Sequence, residues 1–140
     1  MEPLHDTANV LHSVAIHLLR TVRQSDTETG LSPSRLSALS VIVFAGPLRL
    51  GKLANIEQVK PPSMTKLVEQ LEKSGFAVRK KDPADERAWL IEATQKGTDL
   101  LLAAKQKRIE TLTTHLSTLD EAGQKTVADA VALLKSLFLN

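Results

Sequence analysis

Apolar residues recur at helical spacing over most of this chain and predict six helices. The first occupies residues 4–24, where the repeat runs through Leu11, Val14, Leu18 and Val22. Ser32 followed by Pro33 is typical of an N-cap with proline at the first helical position, so a second helix is expected to run from there to about Ala45. Its expected buried face consists of Leu36, Leu39, Val43 and Phe44.

Two short helices joined by a tight turn are predicted next. The third covers residues 50–58 and is expected to bury Leu53, Ala54 and Ile56. The fourth ends at Gly75 and places Met64, Leu67, Val68 and Leu71 at positions i, i+3, i+4 and i+7. At 100° per residue these four share one side and leave a polar face pointing away from the core. Such a pair of helices forms a helix-turn-helix unit.

Strand-like residues then flank the turn sequence DPADER and predict a β-hairpin, which we call the wing (residues 76–93). Thr94 is expected to cap a fifth helix of more than 20 residues, and a sixth follows Asp120. The predicted fold class is therefore mainly α with a small β-hairpin wing.

Length and composition narrow the class of protein. The 140 residues suit one ordinary domain, and the lack of cysteine excludes a disulfide framework, a zinc ribbon and a thiol redox switch. No apolar run approaches the roughly 20 residues that span a bilayer, and the start, MEPLHDTA, lacks the pattern of a signal peptide. We expect a cytoplasmic protein without a membrane partner.

Positive charge is concentrated in the middle of the chain. Although the net charge is only +2, residues 60–81 hold six cations against Glu69 and Glu72. The cations are Lys60, Lys66, Lys73, Arg79, Lys80 and Lys81. Such a surplus favours phosphate binding with counterion release, although an ordinary solvated surface explains it as well.

The span from Leu31 to Gly97 resembles the MarR family of bacterial winged-helix regulators. Its most specific parts are LVEQLEKSGF, an aspartate two residues before an arginine (Asp85 and Arg87), and TQKG. The resemblance implies a winged helix-turn-helix DNA-binding lobe at residues 31–97 of a single domain (1–140). The flanking residues, 1–30 and 98–140, are then long helices that form a homodimer.

The resemblance also implies the DNA contacts. Five residues of the fourth helix would enter the major groove of a palindromic double-stranded operator, namely Pro62, Ser63, Thr65, Lys66 and Gln70. A helix N-terminus offers unpaired backbone donors to phosphate. Lysine can donate to guanine, and glutamine can pair with adenine.

Arg87 would reach the adjacent minor groove, with Asp85 orienting its guanidinium by a charge-assisted hydrogen bond. An exposed turn ion pair is the alternative. Lys80 and Lys81 would position the wing on phosphates, or simply protect a strand edge. Ser34 and Arg35 lie where the family touches the DNA backbone, although helix capping explains them equally well.

Apolar stripes on the terminal helices exceed what one winged-helix core can cover. A twofold homodimer would cover them, whereas an intramolecular helical hairpin is the alternative. The expected interface residues are Val10, Leu11, Val14, Leu116, Val131, Leu134 and Phe138.

The family commonly binds small aromatic acids, so a small aromatic or phenolic ligand is an expected partner that releases a repressor from its operator. Candidate pocket residues are His12, Ile16, Leu39, Val43 and Leu101, whose apolar members also suit an ordinary core. No cofactor or metal is expected, because His5 and His12 lie about 10 Å apart along a helix.

Two other classes of function remain as alternatives. A winged helix used only for protein contacts would not need the cations on the helix and the wing. A small helical enzyme would need converging Ser, His and Asp groups or a bound metal, and the spacing supplies neither. We therefore expect a regulator, not an enzyme.

Overall fold

Six α-helices, a 3-10 helix and three strands occupy most of residues 2–139, which the computed structural model describes. The helices are α1 (Pro3–Arg23), α2 (Pro33–Ala45), α3 (Leu50–Glu57), α4 (Pro61–Lys73), α5 (Gln95–Leu116) and α6 (Glu121–Phe138). The 3-10 helix is Gln24–Thr29, and the strands are β1 (Leu48–Arg49), β2 (Ala77–Asp82) and β3 (Asp85–Ala93). The expected fold class is confirmed. Residues 1 and 140, at the outer ends of the predicted terminal regions, lie outside the described residues.

Three helices begin at the caps that the sequence predicts. The Ser32 hydroxyl accepts a hydrogen bond from the Arg35 amide at 3.3 Å, with Pro33 in the first turn of α2. Thr94 Oγ1 accepts from the Gly97 amide at 3.1 Å, and Asp120 accepts from the Gly123 amide at 2.8 Å. Each cap satisfies a backbone donor that has no acceptor within its own helix.

The central core forms between α2, α3, α4 and the small sheet. From α4 it takes Met64, Val68 and Leu71, all fully buried, which confirms three of the four residues of the predicted seam. The fourth, Leu67, is half-buried and packs against the core. The other members of the core are Ala38, Leu39, Ile42, Leu48, Leu53, Ala54, Phe76, Ala77 and Ile91.

Two residues that we expected in this core are exposed. Phe44 is 62% exposed, because it lies about 160° around α2 from the buried Ile42. Ile56 is 45% exposed, because it lies about 160° around α3 from the buried Ala54. Both expectations were wrong, since the buried stripe on each helix is narrower than the run of apolar residues.

The wing belongs to a three-stranded antiparallel sheet with the strand order β1-β3-β2. The predicted hairpin is present, whereas β1 was not expected, because two residues are too few to show a strand period. Leu48 of β1 pairs with Ile91, and Arg49 pairs with Leu90. Strand β3 is therefore covered on both edges.

The register of the hairpin breaks at its tip. Lys81 pairs with Trp89, but the next residue, Asp82, pairs with Asp85 rather than with Ala88. Residues 86–88 of β3 therefore have no partner on β2. Such a bulge bends its strand and redirects the side chains that it carries.

The chain divides into two compact units, which we call central and terminal. The central unit is residues 23–106, and the terminal unit comprises the residues up to Val22 and those from Lys107 onward. The predicted lobe, residues 31–97, lies within the central unit. None of the helices in residues 2–139 is sufficiently long and apolar to cross a membrane.

The TQKG motif marks a close contact between α5 and the start of the wing. Gly97 is buried, and a Cβ atom built on it would lie 3.0 Å from the carbonyl carbon of Phe76 and closer still to its oxygen. The same carbonyl accepts a hydrogen bond from the Thr94 amide at 3.0 Å. Only glycine fits this position without moving the backbone.

Candidate nucleic-acid interface

The polar face of α4 is available to a ligand. Pro62, Ser63, Lys66 and Gln70 are exposed, and Thr65 is half-buried with its hydroxyl donating to the Pro61 carbonyl at 3.0 Å. Pro62, Lys66 and Gln70 lie on the side of the helix that faces away from the fully buried seam, and Ser63 and Thr65 lie on its two flanks. Because the seam packs on the core, the polar row is held rigidly outward.

The N-terminus of α4 offers fewer backbone donors than we expected. Its first two residues, Pro61 and Pro62, carry no N–H group, and the Met64 amide already donates to the Lys60 carbonyl at 3.1 Å. Within the first three residues of this helix, only Ser63 can donate from its backbone. A ligand on this face of α4 would therefore be contacted mainly by side chains.

Arg87 is exposed in the bulge of the wing. The Asp85 carboxylate accepts a hydrogen bond from the backbone amide of Arg87 at 3.0 Å. We expected this bond to come from the Arg87 guanidinium, which was wrong. In residues 2–139 no carboxylate lies within ion-pair distance of the Arg87 guanidinium. Asp85 thus orders the backbone at this point and leaves the cation available.

The other wing cations have partners within the protein. The Lys80 ammonium pairs with Glu92, and Lys81 lies over the Trp89 ring, 6.0 Å from its centre. Arg79 donates to Glu72 of α4 at 2.8 Å and so links the base of the wing to that helix. A phosphate would have to compete with Glu92 for Lys80, whereas the Trp89 ring leaves Lys81 its full charge.

Arg35 lies at the start of α2 and folds back onto its own cap. Its Nε donates to the Ser32 hydroxyl at 3.2 Å, whereas Ser34 is exposed. This geometry favours the capping interpretation of Arg35, and Ser34 remains accessible.

An ion cluster that the sequence did not reveal ties β1 to the wing tip. Arg49 donates to Asp82 Oδ2 from Nε at 3.0 Å and from Nη2 at 2.8 Å, and Nη2 lies 4.0 Å from Asp85. The Ala84 amide donates to Asp82 Oδ1 at 2.9 Å. This amide, and then the guanidinium, hold the pKa of the Asp82 carboxyl below its usual range. Because 33 residues separate Arg49 from Asp82, no local pattern could have indicated the pair.

The terminal unit carries much exposed apolar surface. Six of the seven expected interface residues are exposed, and Leu134 is half-buried. An open groove of about 470 Å³ lies between the end of α5 and α6. Its lining is Thr113, Leu116, Ser117, Gln124, Val127, Ala128 and Val131.

The candidate ligand residues fall in both units. His12 and Ile16 are exposed on α1 in the terminal unit. In the central unit Leu39 and Leu101 are buried, and Val43 is half-buried. Between residues 2 and 139, no three His, Cys, Asp or Glu side chains are grouped so that they could hold a metal ion.

A helix-turn-helix unit followed by a small antiparallel sheet defines the winged-helix class of DNA-binding fold. The sequence model of the MarR family matches residues 31–89. The HTH-type transcriptional regulator ML2140 of Mycobacterium leprae is 34% identical over 130 residues, which cover 93% of this chain and 91% of that protein. The chain therefore belongs to the MarR family of transcriptional regulators.

Other proteins agree with this assignment. HTH-type transcriptional regulator MT0903.1 of Mycobacterium tuberculosis is 33% identical over the same shares of the two chains. Transcriptional regulator Tm0710 from Thermotoga maritima has a TM-score of 0.85 at 26% identity and covers 95% of this chain and 94% of its own. A mutant of MepR from S. aureus, bound to an oligodeoxyribonucleotide, shares the fold with a TM-score of 0.73 at 20% identity, over 94% of this chain and 97% of its own. The relatives are regulators, which confirms that the chain is not an enzyme.

Proposed function

We propose that this protein represses transcription in the cytoplasm by binding a palindromic operator in double-stranded DNA as a homodimer. A small aromatic or phenolic ligand releases it from the operator. The observation that carries the proposal is the outward polar row on α4, held rigid by the buried seam behind it.

In this proposal α4 enters the major groove, which is wide enough to admit a helix. Ser63 is exposed at its start and contacts phosphate with its hydroxyl and its backbone amide. Lys66 and Gln70 are exposed one turn apart and reach the base edges. Thr65 and Pro62 flank them and contribute shape and contact with the DNA backbone.

The wing adds a second contact element. Arg87 reaches the minor groove, because its planar guanidinium is unpaired in the described chain and is directed by a bulge. Lys81 lies on Trp89 and contacts phosphate, with Lys80 beside it and partly neutralised by Glu92. These lysines position the wing without reading sequence.

Homodimer formation is supported by the exposed apolar surface of the terminal unit. Leu116 and Val131, two of the expected interface residues, line the open groove between α5 and α6. To read two adjacent half-sites, the two α4 helices of such a dimer must lie about one DNA turn, roughly 34 Å, apart. Twofold symmetry of the protein then requires a palindromic operator.

The ligand part of the proposal is supported by membership of the family. Among the candidate residues, His12 and Ile16 are exposed on α1 and can be reached without unpacking the central core. Leu39 is fully buried and presents no surface to a ligand.

The test is selection of bound duplexes from a random DNA pool by the purified protein, followed by a screen for compounds that release the selected duplex. We expect an enriched palindrome. Lys66→Ala should relax the preference at one position of each half-site, because it removes the donor to the base edge. Lys125→Ala is the matched control, since Lys125 is an exposed lysine on α6 paired with Asp129.

A pool without an enriched palindrome would contradict the proposal and favour a winged helix that binds proteins. Equal effects of Lys66→Ala and Lys125→Ala on sequence preference would contradict the role of α4.

A further inference from the structure

The wing tip carries more negative than positive charge, although it is proposed to lie against phosphates. Residues 82–87, DPADER, hold three carboxylates and one guanidinium. Left alone, this segment would repel DNA. One additional cation reaches it from a distant strand, because Arg49 of β1 extends its side chain to the tip.

The geometry of this contact is specific. β1 and β2 lie at opposite edges of the sheet, each about 4.8 Å from β3, so the Arg49 side chain must cross β3 to reach Asp82. Two of its nitrogen atoms donate to the same Asp82 oxygen, at 3.0 and 2.8 Å. The Asp82 side chain is only 12% exposed, so this end of the pair is largely shielded from water.

Asp82 and Asp85, the two carboxylates near Arg49, also accept hydrogen bonds from backbone amides of the wing tip. Asp82 uses its second oxygen to accept the Ala84 amide at 2.9 Å, which closes the turn. Asp85, whose other oxygen lies 4.0 Å from the Arg49 guanidinium, accepts the Arg87 amide at 3.0 Å. A continuous chain of polar contacts therefore connects β1 to the backbone of the residue proposed to enter the minor groove.

We propose that Arg49 is a positioning residue for DNA binding, which orders the wing tip through Asp82 and Asp85 and so presents Arg87 to the minor groove. This inference rests on the proposed function. Arg49 also neutralises one of the three carboxylates, which lowers the repulsion between the tip and the DNA.

The effect of Arg49 on the conformation of the wing tip can be separated from its effect on the charge of the tip. Two single substitutions remove the same negative charge from the hairpin, but only one of them breaks the contact with Arg49. Asp82→Asn breaks the pair with Arg49 but keeps an oxygen for the Ala84 amide. Glu86→Gln removes a carboxylate that is exposed and has no partner in the described chain. If only charge mattered, both variants would bind DNA more tightly.

Positioning predicts opposite results for these variants. Asp82→Asn should weaken operator binding about three- to tenfold despite the lost negative charge, whereas Glu86→Gln should leave it unchanged or tighten it by up to about threefold. Arg49→Gln should weaken binding as well, and Arg49→Lys should restore it only in part, because lysine cannot make both hydrogen bonds.

The experiment measures each variant in two ways. Operator affinity is measured by fluorescence anisotropy with the duplex selected as above, and hydrogen exchange of the Ala84 and Arg87 amides is measured by NMR in the free protein. We expect both amides to exchange faster in Asp82→Asn and Arg49→Gln, with only a small fall in melting temperature, since Arg49 is 51% exposed and its ion pair adds little global stability.

Two results would overturn the positioning role of Arg49. One is tighter DNA binding by Asp82→Asn, as expected for Glu86→Gln. The other is unchanged exchange of both the Ala84 and the Arg87 amides in the variants. Failure of the wild-type protein to bind any duplex would instead overturn the proposed function. The exchange rates would then still decide whether Arg49 orders the wing tip.

Discussion

Replacing Arg87 by alanine tests the minor-groove contact without disturbing the folded protein. In the described chain its guanidinium has no carboxylate partner, and it lies in the part of β3 that has no partner on β2. Removing the side chain therefore leaves no other group unpaired, and the free energy of unfolding should change by less than about 0.5 kcal/mol.

The loss of DNA affinity should be much larger. One lost arginine contact to DNA costs about 1–3 kcal/mol, or about 5- to 150-fold in Kd. The proposed homodimer would present two copies of Arg87, so the loss on a complete palindrome should approach twice that free energy, about 2–6 kcal/mol, if the two half-sites act independently. The Kd is measured by anisotropy of a labelled operator at several salt concentrations.

Arg79→Ala is the matched control for this experiment. It removes the same charge from the same hairpin, but Arg79 is already paired with Glu72 at 2.8 Å. We expect a small loss of stability, under about 1 kcal/mol, and a smaller loss of affinity than for Arg87→Ala. Equal affinity losses in the two variants would refute the groove contact and indicate only a long-range field. An unchanged Kd for Arg87→Ala would refute any role of Arg87 in binding.

Three further predictions concern stability, assembly and pH. Gly97→Ala should destabilise the protein by about 1–3 kcal/mol in urea unfolding, because its Cβ would overlap the Phe76 carbonyl. Its matched control, Gly51→Ala, should stabilise the protein by about 0.4–1 kcal/mol, because nothing lies within 4 Å of the added atom. Val131→Asp should convert dimer to monomer in sedimentation equilibrium, because it places a charge in the apolar groove. The pKa of the Asp82 carboxyl should lie below its value in the unfolded chain when its titration is followed by carbon-13 NMR.

The stabilisation by the Asp82 carboxylate should be lost only at acidic pH. Because the folded-state pKa of Asp82 is lowered, the stability that this carboxylate contributes is present above its unfolded pKa and is lost as the pH falls through the folded pKa. The order of the wing tip should therefore be constant near neutral pH. The stability prediction would be contradicted if Gly97→Ala were as stable as the wild type, and the assembly prediction if Val131→Asp were still a dimer. The pH prediction would be contradicted if the pKa of Asp82 lay above its value in the unfolded chain.

Much of the candidate site could be predicted from the sequence, because it depends on local patterns. The spacing of Met64, Val68 and Leu71 determines which side of α4 is buried, and so which residues are exposed. The caps at Ser32, Thr94 and Asp120 are interactions across three residues and are equally visible in the sequence. Pro61 and Pro62 at the start of α4 also show in the sequence that its N-terminus has few backbone donors, although we expected more.

The wrong predictions concern features that depend on contacts with other parts of the folded chain. The apolar positions on α2 and α3 outnumber those that the core can cover, so Phe44 and Ile56 remain exposed. The expected hydrogen bond from the Arg87 guanidinium to Asp85 depended on the course of the hairpin tip. The bulge instead brings the Arg87 amide to that carboxylate.

The sequence by itself determined the helices, their caps, the hairpin and the polar face of α4, since each is set by interactions between near neighbours. Only the tertiary structure decided the pairing of β1 with β3, the bulge that carries Arg87, and the contact of Arg49 with Asp82. These features join residues far apart in the chain, and their formation requires the core to bring the strands together first. A periodicity describes one element at a time and contains no information on which distant element will meet it.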